Sequence, residues 1–142
     1  AVASKEIIAD MNKIKFSFNP FNLNSITMAA GIAAVQDVEY LNDCVKKTIV
    51  VREETRRDLE EMGFFVIPSK ANFLFVRHAW MDSELLCQML KDQGILTRHF
   101  ADERLKDYLR ITMGTRSEMD VVLIAIRQIL EECAAAQERS AS

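Results

Sequence analysis

Apolar positions along the chain follow two rhythms, one close to helical spacing and one of alternate residues. Ser4-Lys5-Glu6 opens a short helix with Ile7, Ile8 and Met11 on its apolar side and Ser4 as its cap. It is expected to stop before Phe16-Ser17-Phe18-Asn19-Pro20-Phe21-Asn22, where aromatics, asparagines and a proline follow neither rhythm. A loop that apolar needs a cover, from its own core or from another domain or subunit. Asn24 or Ser25 then caps a helix from Ile26 to Gln36 that is apolar all round, the pattern of a helix buried on every side. A small domain has little room for such a helix, so part of its burying partner is expected outside the chain. The longest periodic element runs from Val38 to Met62 through Leu41, Val45, Thr48, Ile49, Arg52, Leu59 and Met62, with Gly63 placed to end it. At about 1.5 Å per residue, roughly 25 residues reach ~37 Å, enough to tie two domains together. On its outer face Glu53 with Arg57, Arg56 with Glu60 and Arg57 with Glu61 stand at ion-pairing separation, the signature of a solvated helix face.

Two β-rich runs follow, Phe64 to Pro68 and Asn72 to Arg77, and Pro68 closes the first. Asp82 caps a helix with the stripe Leu85, Leu86, Met89 and Leu90, ended by Gly94. Two further strands are expected over Ile95 to Phe100 and Tyr108 to Met113. Thr115-Arg116-Ser117-Glu118 has the form of a capping box and opens a last helix with Val121, Val122, Ile124, Ala125 and Ile129 inward, fraying past Cys133. The order of three helices, two strands, helix, two strands, helix describes a sheet of about four strands with helices packed over one face. The fold class is α/β in a two-layer, α+β-like arrangement.

Length and charge narrow the function. The chain has 142 residues and a formal charge of -3 with both signs mixed throughout, so it carries no basic stripe for nucleic acid and no acidic tail. Cys44, Cys87 and Cys133 lie more than 40 residues apart, which suits buried thiols of a reduced compartment rather than disulfides or a metal cluster. The first ten residues lack the form of a signal peptide, and Leu23 to Gln36 falls short of the ~20 residues a membrane helix requires. The expectation is a soluble, cytoplasmic protein with no nucleic-acid or membrane partner.

Most catalytic signatures are missing. The glycines stand singly, His78 and His99 are not at a ligand spacing, and neither HExxH, CxxC nor a serine elbow occurs. What stands out is an arginine within each of the last two strands. Arg110, in Leu109-Arg110-Ile111-Thr112, sits where a sheet half buries its side chains, and a guanidinium cannot shed its charge there. Such a fork takes a carboxylate or phosphate, either from its own fold or from a ligand. With Arg98 on the neighbouring strand, the pair could grip the two ends of a doubly anionic small molecule. By strand alternation His99 faces away from Arg98. Asn72 reads as a turn or edge residue that could also line a pocket.

In this order, the segments Phe21-Asn22-Leu23-Asn24-Ser25, Val51-Arg52-Glu53-Glu54, Pro68-Ser69-Lys70-Ala71-Asn72-Phe73, Gly94-Ile95-Leu96-Thr97-Arg98 and Tyr108-Leu109-Arg110-Ile111-Thr112-Met113-Gly114-Thr115 span nearly the whole chain. Together they resemble the C-terminal part of the histidinol-phosphate aminotransferase family among the fold-type I pyridoxal-phosphate enzymes. The LRIT-x-GT string is the most specific of them. The resemblance implies that residues 1–40 are the tail of a large cofactor-binding domain with the inter-domain connection, and that residues 41–142 are the small domain, beginning with the long connecting helix. It implies that Arg110 holds the substrate α-carboxylate and Arg98 helps hold the phosphate of histidinol phosphate, with Asn72 and Asn22 lining the pocket.

It further implies a homodimeric parent of histidine biosynthesis, moving an amino group between a phosphorylated amino compound and a 2-oxo acid. The family's Schiff-base lysine, its aspartate and its phosphate cup lie upstream of the matched region. Lys5 and Lys70 each follow a serine, as that lysine often does, but neither is followed by the expected glycine-containing segment. The isolated chain is therefore expected to bind no pyridoxal phosphate and to be inactive without the missing large domain. Within the family an aromatic or other amino-acid aminotransferase is the alternative; outside it, a non-catalytic anion-binding module or a structural dimerisation domain.

Overall fold

The structure is a computed structural model and describes residues 2–18 and 23–141. Its elements are α1 (Lys5–Phe18), α2 (Ser25–Gln36), α3 (Val38–Glu61), β1 (Phe64–Ile67), β2 (Phe73–His78), α4 (Ser83–Asp92), β3 (Arg98–His99), β4 (Leu109–Thr112) and α5 (Arg116–Ala141). The chain divides into two compact units, Ala1–Asn42 and Asp43–Ser142.

In the first unit the Ser4 hydroxyl accepts from the Ile7 amide at 3.5 Å. Instead of stopping before Phe16, α1 continues to Phe18. Nothing between Lys15 and Phe18 forbids helical backbone, aromatics being only mildly poor helix formers, and Ser17 donates its hydroxyl to the Lys13 carbonyl at 2.8 Å. The Asn24 side chain accepts from the Thr27 amide at 2.8 Å, capping α2. Every residue of α2 is exposed, Ile26 at 80% and Val35 at 76%. A helix patterned for burial all round is thus uncovered in this chain.

The second unit is a two-layer α/β domain. Its antiparallel sheet has the order β1-β2-β4-β3. Alternation sends Phe64, Val66, Leu74, Val76, Leu109 and Ile111 to one face, where Leu59 of α3, Leu86 and Leu90 of α4, and Met119, Leu123, Ile126 and Ile129 of α5 close the core. Among the described residues, the core cluster gathers these helices on that one face. Gly63, at φ +89°, turns the chain from α3 into β1. At the far end of the hairpin, His78 Nε2 lies 3.2 Å from the Met62 carbonyl, and its Nδ1 accepts from the Met81 amide at 3.4 Å. Asp82 caps α4 through the Leu85 amide at 2.8 Å. Thr115 and Glu118 form the expected reciprocal box at the start of α5, Thr115 N–H to Glu118 Oε2 at 2.6 Å and Glu118 N–H to Thr115 Oγ1 at 3.3 Å.

Several expectations are corrected. α5 does not fray after Cys133 but runs to Ala141, because Ala134-Ala135-Ala136-Gln137-Glu138-Arg139 is strong helix former throughout even without an apolar stripe. Its inward face is Met119, Leu123, Ala125, Ile126 and Ile129, while Val121 and Ile124 are each 58% exposed. Leu85 of α4 likewise faces outward. On α3, Glu53 pairs with Arg52 and Arg56 rather than Arg57; Arg57 donates to the Glu53 backbone carbonyl at 3.3 Å, and Arg56 with Glu60 is found as expected. No Arg57–Glu61 pair occurs among the described residues. The three cysteines are free and half-buried rather than fully buried.

Candidate functional site

The open face of the sheet is built by the positions that alternate with the core. β1 contributes Phe65, β2 contributes Phe73, Phe75 and Arg77, β4 contributes Arg110 and Thr112, and β3 contributes Arg98. The register sets Arg98 directly opposite Arg110, and Arg110 directly opposite Phe75 on its other side. Directly opposed residues of an antiparallel pair project from the same face, with Cβ atoms about 5 Å apart. His99 pairs with core-facing Leu109, so it lies on the other face, and it bonds the Lys106 carbonyl at 2.7 Å.

Aromatic rings floor these cations. The Arg110 guanidinium stands 4.6 Å from the Phe73 ring centre, and that of Arg98 stands 5.2 Å from Phe100. Phe100 stacks on Phe75 at 5.8 Å. A guanidinium on an aromatic face is held in place electrostatically while its edge N–H groups stay available. Neither arginine forms an ion pair with a described residue, and the half-buried Arg110 keeps its Nε–H away from solvent without an acceptor. Two like charges opposed across strands repel, and a buried donor without a partner costs free energy. An anion lying between the two forks would relieve both.

The remaining expected residues are less central. Asn72 is exposed at the mouth of β2, where its carbonyl accepts the Met113 amide at 2.8 Å. Asn22 lies outside the described residues. A groove between α4 and β3 is lined by Asp82, Glu84, Gln88, Lys91, Arg98 and His99, but its mixed charge gives an anion no preference for it. Three residues of this region escape the sequence reading. Phe73 and Phe100 are seen as platforms only once the register is known. Arg77, against Phe65 at 5.1 Å and Tyr108 at 5.7 Å, is a further cation of the open face, and its place alternating with Phe73 and Phe75 is a signal the sequence does carry.

Lys5 and Lys70 are both exposed, whereas a lysine that condenses with a carbonyl is activated by desolvation or a neighbouring cation. No group of three or more His, Cys, Asp or Glu among the described residues is placed to hold a metal.

The two-layer fold, a four-stranded antiparallel sheet with helices on one face, recurs among known aminotransferases. Residues 1–126 match the family "Aminotransferase class I and II", and the chain belongs to that family of pyridoxal-phosphate-dependent enzymes. It is 44% identical to histidinol-phosphate aminotransferase of Chromohalobacter salexigens over 91% of this chain and 37% of that protein. Among solved structures, histidinol-phosphate aminotransferase of Sinorhizobium meliloti in complex with pyridoxal-5'-phosphate is 28% identical, with a TM-score of 0.69 over 78% of this chain and 32% of that one. The enzyme of the same name from Clostridium acetobutylicum shares the fold, with a TM-score of 0.79 at 24% identity over 91% of this chain and 39% of that one. The chain thus spans little more than a third of the length of the curated relatives it matches.

Proposed function

We propose that this chain is the C-terminal part of a pyridoxal-phosphate-dependent aminotransferase acting on histidinol phosphate and a 2-oxo acid in histidine biosynthesis. Residues 1–40 are then the tail of the large domain and the inter-domain connection, and residues 41–142 the small domain that closes over substrate. The observation that carries the reading is the opposed pair Arg98 and Arg110 on the open face, with the Arg110 Nε–H lacking an acceptor. Arg110 takes the α-carboxylate of the amino-acid partner through its fork, and Arg98 contributes to the phosphate of the phosphorylated one. Asn72, at the mouth of β2, lines the substrate pocket.

Pyridoxal phosphate supplies the electron sink on which the amino group is exchanged. What these residues add is orientation. A bidentate fork fixes one end of the substrate, so its amino group meets the cofactor in one pose, and holding a reactant in its reactive geometry is worth several kcal/mol of barrier. Similarity to enzymes named for histidinol phosphate favours that substrate over other amino acids. The uncovered α2 supports a parent that buries this helix against its large domain and a second subunit. A homodimer in the cytoplasm fits an enzyme of this kind, and no described helix is long and apolar enough to cross a membrane.

The test uses the protein encoded by the complete gene. Arg110→Gln is expected to lower kcat/KM for amino transfer by roughly tenfold to 150-fold, the worth of a hydrogen-bonded charge. Arg98→Gln is expected to raise KM chiefly for the phosphorylated substrate. Activity of Arg110→Gln within twofold of wild type would overturn the assignment.

A further inference from the structure

Arg52 is a charged residue inside the small domain's packing. It is 7% exposed, on the turn of α3 next to fully buried Thr55 and two turns from Leu59. Burying a guanidinium costs several kcal/mol unless its donors are met, and an apolar residue of similar length fills such a place at lower cost. The directions of its hydrogen bonds show what the charge does there. Nε and Nη2 both grip Oε1 of the adjacent Glu53, at 3.1 and 3.0 Å, which fixes the plane of the fork. Glu53 is held in turn by Arg56 Nε at 3.1 Å. With the plane fixed, Nη1 crosses to the backbone carbonyl of Ala71 at 3.0 Å, a residue 19 positions away in the loop between β1 and β2.

That loop leads straight to the anion site. Ser69 ties it internally, accepting from the Ala71 amide at 3.1 Å and donating to the Phe73 carbonyl at 2.8 Å. The Asn72 carbonyl accepts the Met113 amide and so joins the loop to the end of β4. Phe73 comes next, with its ring 4.6 Å from the Arg110 guanidinium. We infer that Arg52 is a positioning residue for the Arg98–Arg110 anion site: by clamping the Ala71 carbonyl it fixes the loop that sets the Phe73 platform under Arg110. The clamp stands on geometry alone, while its consequence for ligands rests on the reading of Arg110 as an anion-binding group.

The test compares the 142-residue chain with Arg52→Met, which fills the volume without donors, and Arg52→Lys, which keeps a single-point cation. Amide hydrogen exchange is expected to accelerate tenfold or more in residues 69–73 and 110–113 of Arg52→Met, and threefold to tenfold in Arg52→Lys. Residues 123–129 of α5 stay within twofold of wild type. If Arg52→Met does not fold, Arg52→Lys decides. Inorganic phosphate, titrated calorimetrically, is expected to bind the folded variants at least fivefold more weakly, at a thermal midpoint near that of wild type. Exchange unchanged at 69–73 and 110–113, or accelerated equally in α5, overturns the inference, as does undiminished phosphate affinity in a variant whose loop has opened. A wild-type chain that takes up no phosphate counts against the anion-site reading, and the exchange pattern alone then decides whether Arg52 holds the loop.

Discussion

At the scale of single residues, the second unit places its charges in two different ways. Arg116 is satisfied within the fold, bonding Asp58 at 2.9 Å and Asp120 at 2.7 Å and so tying α5 to α3. Arg98 and Arg110 have rings beneath them and form no ion pair with a described residue. Their shared face follows from strand alternation once the register is given, but register is a product of pairing, and a chain read alone does not supply it. This is why the two arginines stand out in the sequence while their platforms, Phe73 and Phe100, do not. Glu53 shows the electrostatic consequence of the clamp. Hydrogen bonds from Arg52, then Arg56, hold its carboxyl below the ordinary glutamate value of 4.5. A carboxylate whose value is lowered by folding stabilises the fold fully above its unfolded value, and that contribution is lost as pH falls through the lowered folded one. Stability measured by denaturant between pH 6 and pH 3 should therefore fall more steeply in wild type than in Glu53→Gln; parallel curves would remove Glu53 from the acid response. Thr55 gives a second residue-level outcome. Its buried hydroxyl has no partner, so Thr55→Val should be neutral or stabilising by up to about 1 kcal/mol, and a loss beyond that would reveal a bond the geometry lacks.

At the scale of elements, local chemistry decides the ends and packing decides the faces. The Asn24, Asp82 and Thr115–Glu118 caps are legible because a side-chain oxygen three residues before an unpaired amide is a purely local arrangement. Strands β1, β2 and β4 are legible for the same reason, their alternating β-branched and aromatic residues needing no distant partner, whereas the strand expected over Ile95 to Phe100 is reduced to Arg98–His99. The inward stripe of α5 is less so: Val121 and Ile124 are as apolar as Leu123 and Ile126, and only the position of the sheet decides which pair is buried. The turn between α3 and β1 offers a test of a local requirement. Gly63 has φ +89°, and a Cβ there would meet His78 Nε2 at 3.1 Å, the atom that bonds the Met62 carbonyl. Gly63→Ala is expected to cost about 1 kcal/mol or more in equilibrium unfolding, from backbone strain and the displaced ring together. A change below about 0.3 kcal/mol would show that the turn relaxes freely. In the core, Leu59→Ala should cost roughly 2–5 kcal/mol, since that side chain is fully buried between α3 and the sheet.

At the scale of the molecule, the surfaces left open among the described residues include the whole of α2 and the arginine-bearing face of the sheet. The first is apolar and is expected to drive association. Sedimentation of the 142-residue chain should show self-association that weakens when Ile32 and Val35 are replaced by lysine, whereas a monodisperse monomer at tens of micromolar would mean α2 needs no cover. The second surface is charged and aromatic, and it is the one on which the proposed function rests. It is also the surface whose meaning depends most on residues beyond any single element, because strands far apart in sequence bring Phe73, Arg98 and Arg110 together. A crystal structure of the complete encoded protein with histidinol phosphate bound reads that meaning directly. An anionic group of the ligand should lie within about 3 Å of guanidinium nitrogens of both Arg98 and Arg110, with the Arg110 Nε–H among its donors. A ligand bound elsewhere, with both guanidinia still resting on their rings and paired to acids of the protein, would contradict it.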